Sequence, residues 1–124
     1  MCKMEYEYRE KKSRLVNAIE EMNLTLAKAH HQIALMHGTP YLLGLLTCRA
    51  KFDDEAEGVY FFEEFETKVS ITEENLQDII QWETNLSYAL DSSEEKLSDE
   101  QAREVKEAVR NFINAYAKYA ELGD

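Results

Sequence analysis

Three histidines, two cysteines and a run of closely spaced carboxylates are the residues whose types could support chemistry. His30, His31 and His37 fall within eight positions. His30 and His37 are seven apart, so on a helix they share a face but sit about 10 Å from each other, too far for both to bind one ion. No two histidines stand four apart and no HExxH pattern occurs, so a zinc centre has no template here. A cation at a helix C-terminus is favoured by the helix dipole, which accounts for the histidines without a metal. Neither Cys2 nor Cys48 has a base near it in sequence, and two cysteines do not make a disulfide framework. Only four glycines are present and none are clustered, which leaves no phosphate-cradling loop.

Glu63 and Glu66 have an ExxE spacing. Helical nucleotide pyrophosphohydrolases of the MazG type use two such acidic motifs on facing helices to hold Mg²⁺. This chain is similar in the one motif only: Glu74 to Asp78 and Glu95 to Asp99 have the wrong spacing for the second. Without convergent carboxylates a hydrolytic Mg²⁺ site is not assembled. No catalytic residue, metal ligand or cofactor is therefore assigned, and the expectation is a non-enzymatic protein. A metal-dependent hydrolase remains the remote alternative.

Charge distribution is the feature that rises above background. The 124 residues carry a net charge of −11. Residues 51–100 hold 16 acidic and 3 basic side chains, while the two flanking segments together are close to balance. Such a field repels nucleic acid and anionic membranes and attracts basic partners. Tyr60, Phe61, Phe62, Phe65, Trp82 and Tyr88 are interleaved with these carboxylates. Aromatic rings supply anchoring area and carboxylates supply steering, so the block reads as a protein-binding surface. The residues expected to carry it are Asp53, Asp54, Glu55, Glu57, Glu63, Glu64, Glu66, Glu73 and Glu74. In size and charge class the chain resembles small acidic proteins of phages and mobile elements, among them anti-restriction and anti-CRISPR proteins. That resemblance implies nucleic-acid mimicry, with carboxylates standing in for phosphates in the basic channel of a nucleic-acid enzyme. The alternative for the same residues is a solvated acidic face.

The elements that must position these groups follow from hydrophobic spacing. Leu15, Ile19, Met22, Leu26, Ala29, Ile33 and Met36 recur at 4-3-4-3 intervals, with Tyr8 upstream. This predicts one helix from about Glu5 to His37, closed by Gly38 at C′ and by Pro40. At about 50 Å it is longer than a domain of this size needs, so its seam over residues 8–36 also suggests a homodimer or a small subunit of a larger assembly.

Residues 41–71 read as a β-hairpin. Leu42, Leu46, Cys48, Ala50 and Phe52 share one parity, as do Val59, Phe61, Phe65, Val69 and Ile71. The acidic loop between them ends in Gly58. A helix over 55–68 also has passable spacing, but the β-branched and aromatic content favours strands.

Thr72 is an N-cap candidate, followed by Glu73 and Glu74 where the dipole favours acids. The stripe Leu76, Ile79, Ile80, Leu86, Leu90 then carries a helix to about Asp91, interrupted by Glu83, which is read as a solvent-wetted carboxylate. Ser98 with Gln101 makes a capping box for a last helix. Its stripe is Ala102, Val105, Val109, Phe112, Tyr116 and Tyr119.

The sum is a mainly α fold: a small bundle of one long N-terminal and two C-terminal helices with a hairpin at about 41–71, one domain over 1–124. No apolar run approaches the ~18 residues of a membrane span, and no apolar h-region follows the first lysine. Two thiols and no secretory signal place the expectation in the cytoplasm.

Overall fold

The structure, a computed structural model, describes residues 2–63, 69–92 and 97–123. Four helices and a three-stranded antiparallel sheet follow in the order α1 (Cys2–Leu35), α2 (Pro40–Leu46), β1 (Cys48–Asp53), β2 (Gly58–Glu63), β3 (Val69–Ser70), α3 (Glu73–Ser92) and α4 (Asp99–Gly123). The mainly α bundle with a hairpin is what the apolar spacing predicts.

The seam of α1 is buried from Leu15 to Ile33 without exception. It is covered by α4, which runs antiparallel to it. Tyr8 near the start of α1 meets Tyr119 near the end of α4, and Thr25 and Ala29 lie beside Val105 and Ala108. The two stripes with the cleanest periodicity thus find each other, because each can bury its apolar row only against a comparable row. The seam stops at Ile33, and Met36 is exposed.

Helix α1 ends in a Schellman motif shifted by one residue from the expected position. The Gly38 N–H bonds Ile33 O at 2.9 Å and the His37 N–H bonds Ala34 O at 3.1 Å. His37, with φ of 56°, therefore takes the left-handed C′ position, and Gly38 is C″. Gly38 is needed for a close approach and not for its φ: a Cβ there would overlap the Ile33 side chain and press on Ile33 O at 3.0 Å.

Residues 41–46, read from parity as the start of a strand, form helix α2 instead. The Thr39 hydroxyl accepts from the Leu42 N–H at 3.4 Å, and Pro40 occupies the first turn. That is the N-cap followed by Pro that opens helices. The buried pair Leu42 and Leu46 fits either period, being both two strand steps and one helical turn apart.

The first strand begins at Cys48. Cys48 and Ala50 are buried, Phe52 is half-buried, and Arg49 and Lys51 lie on the opposite face. Asp53 pairs with Gly58, so the acidic loop spans four residues, and it is Glu57 (φ 50°) that takes the left-handed turn conformation. Asn23 of α1 holds the strand edge-on. Its amide donates to Ala50 O at 2.8 Å and accepts from the Ala50 N–H at 3.1 Å. Strand β3 completes the sheet order β1-β2-β3.

Both C-terminal helices start as expected. The Thr72 hydroxyl accepts from the Asn75 N–H at 3.3 Å while Asn75 Oδ1 accepts from the Thr72 N–H at 2.7 Å. Ser98 and Gln101 make the reciprocal pair at 3.1 and 3.2 Å.

Candidate partner-binding surface

The predicted acidic residues come from two elements far apart in sequence. Asp53, Asp54, Glu55 and Glu57 form the β1–β2 hairpin tip, and Glu73 and Glu74 form the first turn of α3. Of the other three, Glu63 closes β2, and Glu64 and Glu66 lie outside the described residues.

Two tyrosines one turn apart on α4 bring these elements to the same end of the molecule. The Tyr119 hydroxyl donates to Glu57 O at 2.7 Å. The Tyr116 hydroxyl donates to Ile71 O at 3.1 Å, immediately before the Thr72 cap. Burial raises both phenol pKa values from their ordinary 10.0; Glu73 adds to the rise at Tyr116, and the Tyr8 hydrogen bond and Glu57 add to it at Tyr119. The anionic side chains of both arms are therefore close enough to act on the tyrosines that hold the backbone.

The hairpin tip is further tied to α1. Lys12 Nζ pairs with Asp54 at 2.8 Å and sits 5.0 Å from the centre of the Phe52 ring. The hydrogen bond to Asp54, followed by the charges around it, raises the Lys12 pKa above 10.5. Phe52 in turn meets the Tyr119 ring edge-on at 5.6 Å. Asp53 Oδ1 accepts from the Glu55 N–H at 2.9 Å and stiffens the loop from within. Asp54 is thus partly neutralised by Lys12 and Asp53 is half-buried, whereas Glu55, Glu57, Glu73 and Glu74 are exposed.

The aromatic residues interleaved with this block divide differently from the expectation. Trp82 is a core residue, 8% exposed, whose indole N–H donates to Leu45 O at 3.0 Å and whose ring lies edge-on to Phe61 at 5.1 Å. It fastens α3 to α2 and to the sheet. Tyr60 and Phe62 are half-buried on the other sheet face, Tyr88 stands 73% exposed on α3, and Phe65 lies outside the described residues.

Glu83 is not the solvent-wetted carboxylate its position suggested. It is buried, with a side chain 8% exposed, and accepts from Arg110 Nη2 of α4 at 2.9 Å. The Arg110 side chain is 58% exposed, so the pair spans from the core to a surface groove that also meets Lys106, itself paired with Asp91. No spacing within α3 could reveal a partner 27 residues away.

Histidines 31 and 37 are exposed, His30 is half-buried and Cys48 is buried. Among the described residues no group of three or more His, Cys, Asp or Glu side chains is placed to hold a metal ion. No helix among them is long and apolar enough to cross a membrane.

Comparison of the chain with protein-family models, with curated proteins and with solved structures returns no match.

Proposed function

We propose that this chain is a non-enzymatic binding protein whose acidic end docks onto a basic surface of another protein. The observation that carries the reading is the convergence of the hairpin tip and the first turn of α3, each fastened by its backbone carbonyl to α4. Carboxylates on pre-fixed backbone lose little conformational entropy on binding. Their shared sign in a chain of −11 steers a basic partner toward that end. In its finer form the partner is a nucleic-acid-handling enzyme. The carboxylates then occupy phosphate positions in its channel, as in proteins of the anti-restriction and anti-CRISPR type.

The test is affinity capture from cell lysate, nuclease-treated, with the native chain and with a variant carrying Glu55→Lys, Glu57→Lys, Glu73→Lys and Glu74→Lys. A basic protein retained by the native chain at low salt, released at high salt and absent with the variant supports the reading. Duplex DNA or RNA is then added as competitor: displacement supports mimicry, and retention restricts the reading to a plain protein contact. Equal recovery by both chains removes the acidic end from the interface.

A further inference from the structure

The outer face of α1 changes character at Leu24. Upstream, the positions opposite the buried row are Arg9, Glu10, Ser13, Asn17, Glu20 and Glu21. From there to the helix end they are Leu24, Ala27, Lys28, His31, Ala34 and Leu35, all exposed. At 100° per residue these six lie opposite the buried row Met22, Leu26, Ala29 and Ile33. Leu24 is 53% and Leu35 64% exposed, and exposed Met36 and Tyr41 continue the apolar surface round the α1–α2 corner. The face is about 17 Å long at helical rise.

Charge decides what can cover it. Residues 22–52 contain none of the chain's 25 carboxylates, and they hold Lys28, Arg49, Lys51 and all three histidines. Two copies of a −11 chain repel wherever carboxylate meets carboxylate. The penalty is smallest through this region, which also exposes Leu24, Leu35, Met36 and Tyr41. Beside the face, the α1–α4 groove has Lys28 and Glu21 on one bank and Glu104 and Glu107 on the other, which gives the rim of a two-fold contact both signs of charge.

We propose that the outer face of α1 from Leu24 to Leu35, with Met36 and Tyr41, is a self-association surface that pairs with the same face of a second copy. This contact is distinct from the row Leu15 to Ile33, which is buried within the bundle, and it leaves the acidic ends of both copies open. It does not depend on the binding function proposed above. A face this short gives a weak dimer, below the size of a standard stable interface.

The experiment is sedimentation velocity from about 10 to 500 µM. The native chain shifts from monomer to dimer across the range. Raising salt strengthens the dimer, because screening relieves repulsion between two acidic chains while the apolar contact persists. Leu35→Lys buries a cation in the apolar contact of each copy and weakens association about tenfold or more, while a lysine near the helix C-terminus suits the dipole. Tyr88→Lys, on α3 outside the face, leaves association unchanged. Unfolding curves of each variant confirm the fold. A native chain that stays monomeric throughout overturns the proposal. So does a dimer that Leu24→Lys with Leu35→Lys leaves intact, a dimer that salt dissolves, or growth into open-ended chains.

Discussion

The Tyr119 hydroxyl donates a 2.7 Å hydrogen bond to the backbone carbonyl of Glu57, across 62 residues of chain. The same Tyr119 Oη is hydrogen-bonded to the Tyr8 hydroxyl at 3.1 Å. One phenol therefore fastens the acidic loop to both long helices. Tyr119→Phe removes both bonds and leaves a partly buried carbonyl unpaired, at a cost of about 1–3 kcal/mol; Tyr8→Phe removes one bond and costs about 0.5–1.5 kcal/mol. Urea unfolding measures both. If the hairpin tip binds the partner, Tyr119→Phe also lowers affinity with no change in charge, which calorimetry against that partner reads directly.

Alkaline pH acts on the same end. Tyr119 and Tyr116 have raised pKa values, so the folded state holds protons that the unfolded chain releases above about pH 10. Lys12 is shifted in the same direction. Their contribution is complete below the unfolded values and is lost as pH rises through the folded ones. The urea midpoint should be level between about pH 7 and 9 and fall beyond about 10. Tyr119→Phe should flatten that fall, and an unchanged slope would show that the phenol is not its source.

The Glu83–Arg110 pair predicts an asymmetry. Arg110→Ala strands a buried carboxylate and should cost about 1–2 kcal/mol, below the range for fully buried pairs because half of Arg110 already faces water. Glu83→Leu removes the buried charge and replaces it with apolar volume in a helix that already buries Ile79, Trp82 and Leu86, and should be neutral or stabilising. Thermal unfolding of the two variants decides the sign.

Two glycines predict opposite outcomes for the same substitution. Gly38→Ala forces a Cβ into Ile33 where the Schellman turn closes and should cost about 1–3 kcal/mol. Gly44→Ala meets nothing within 4 Å in the middle of α2 and should stabilise by about 0.5–1 kcal/mol. Equal effects would show that the α1–α2 turn is not as tight as its hydrogen bonds indicate.

The two acidic arms should act jointly. Reversing Glu55 and Glu57, or Glu73 and Glu74, should each reduce partner association, mainly in its rate, and their effects should diminish together as salt rises. Asp54→Asn breaks an exposed ion pair with Lys12 and should leave the urea midpoint nearly unchanged.

Periodicity made most of the bundle legible. The rows Leu15 to Ile33 and Val105 to Tyr119 are buried as their spacing requires, and Thr72 and Ser98 cap the helices they precede. Each of these is a local property, readable within one or two turns. Where two periods coincide, as at Leu42 and Leu46, parity misled and the Thr39–Pro40 signal was the better guide. Trp82 was misplaced for a related reason. Helix α3 is covered on two sides, by α2 and the sheet and by α4, so its buried face is wide enough to include both Trp82 and Glu83.

Residue types and their spacing alone determined the helical class, the apolar rows and the concentration of carboxylates over 51–100. Only the tertiary structure decided that the hairpin tip and the start of α3 share an end, that Glu83 has Arg110, and that α1 keeps a second, carboxylate-free face after α4 has covered the first. The physical reason is range. Hydrophobic period and capping are fixed by neighbours within a few residues, whereas a hydroxyl finds a carbonyl 62 residues away only after the packing of two helices has placed it there.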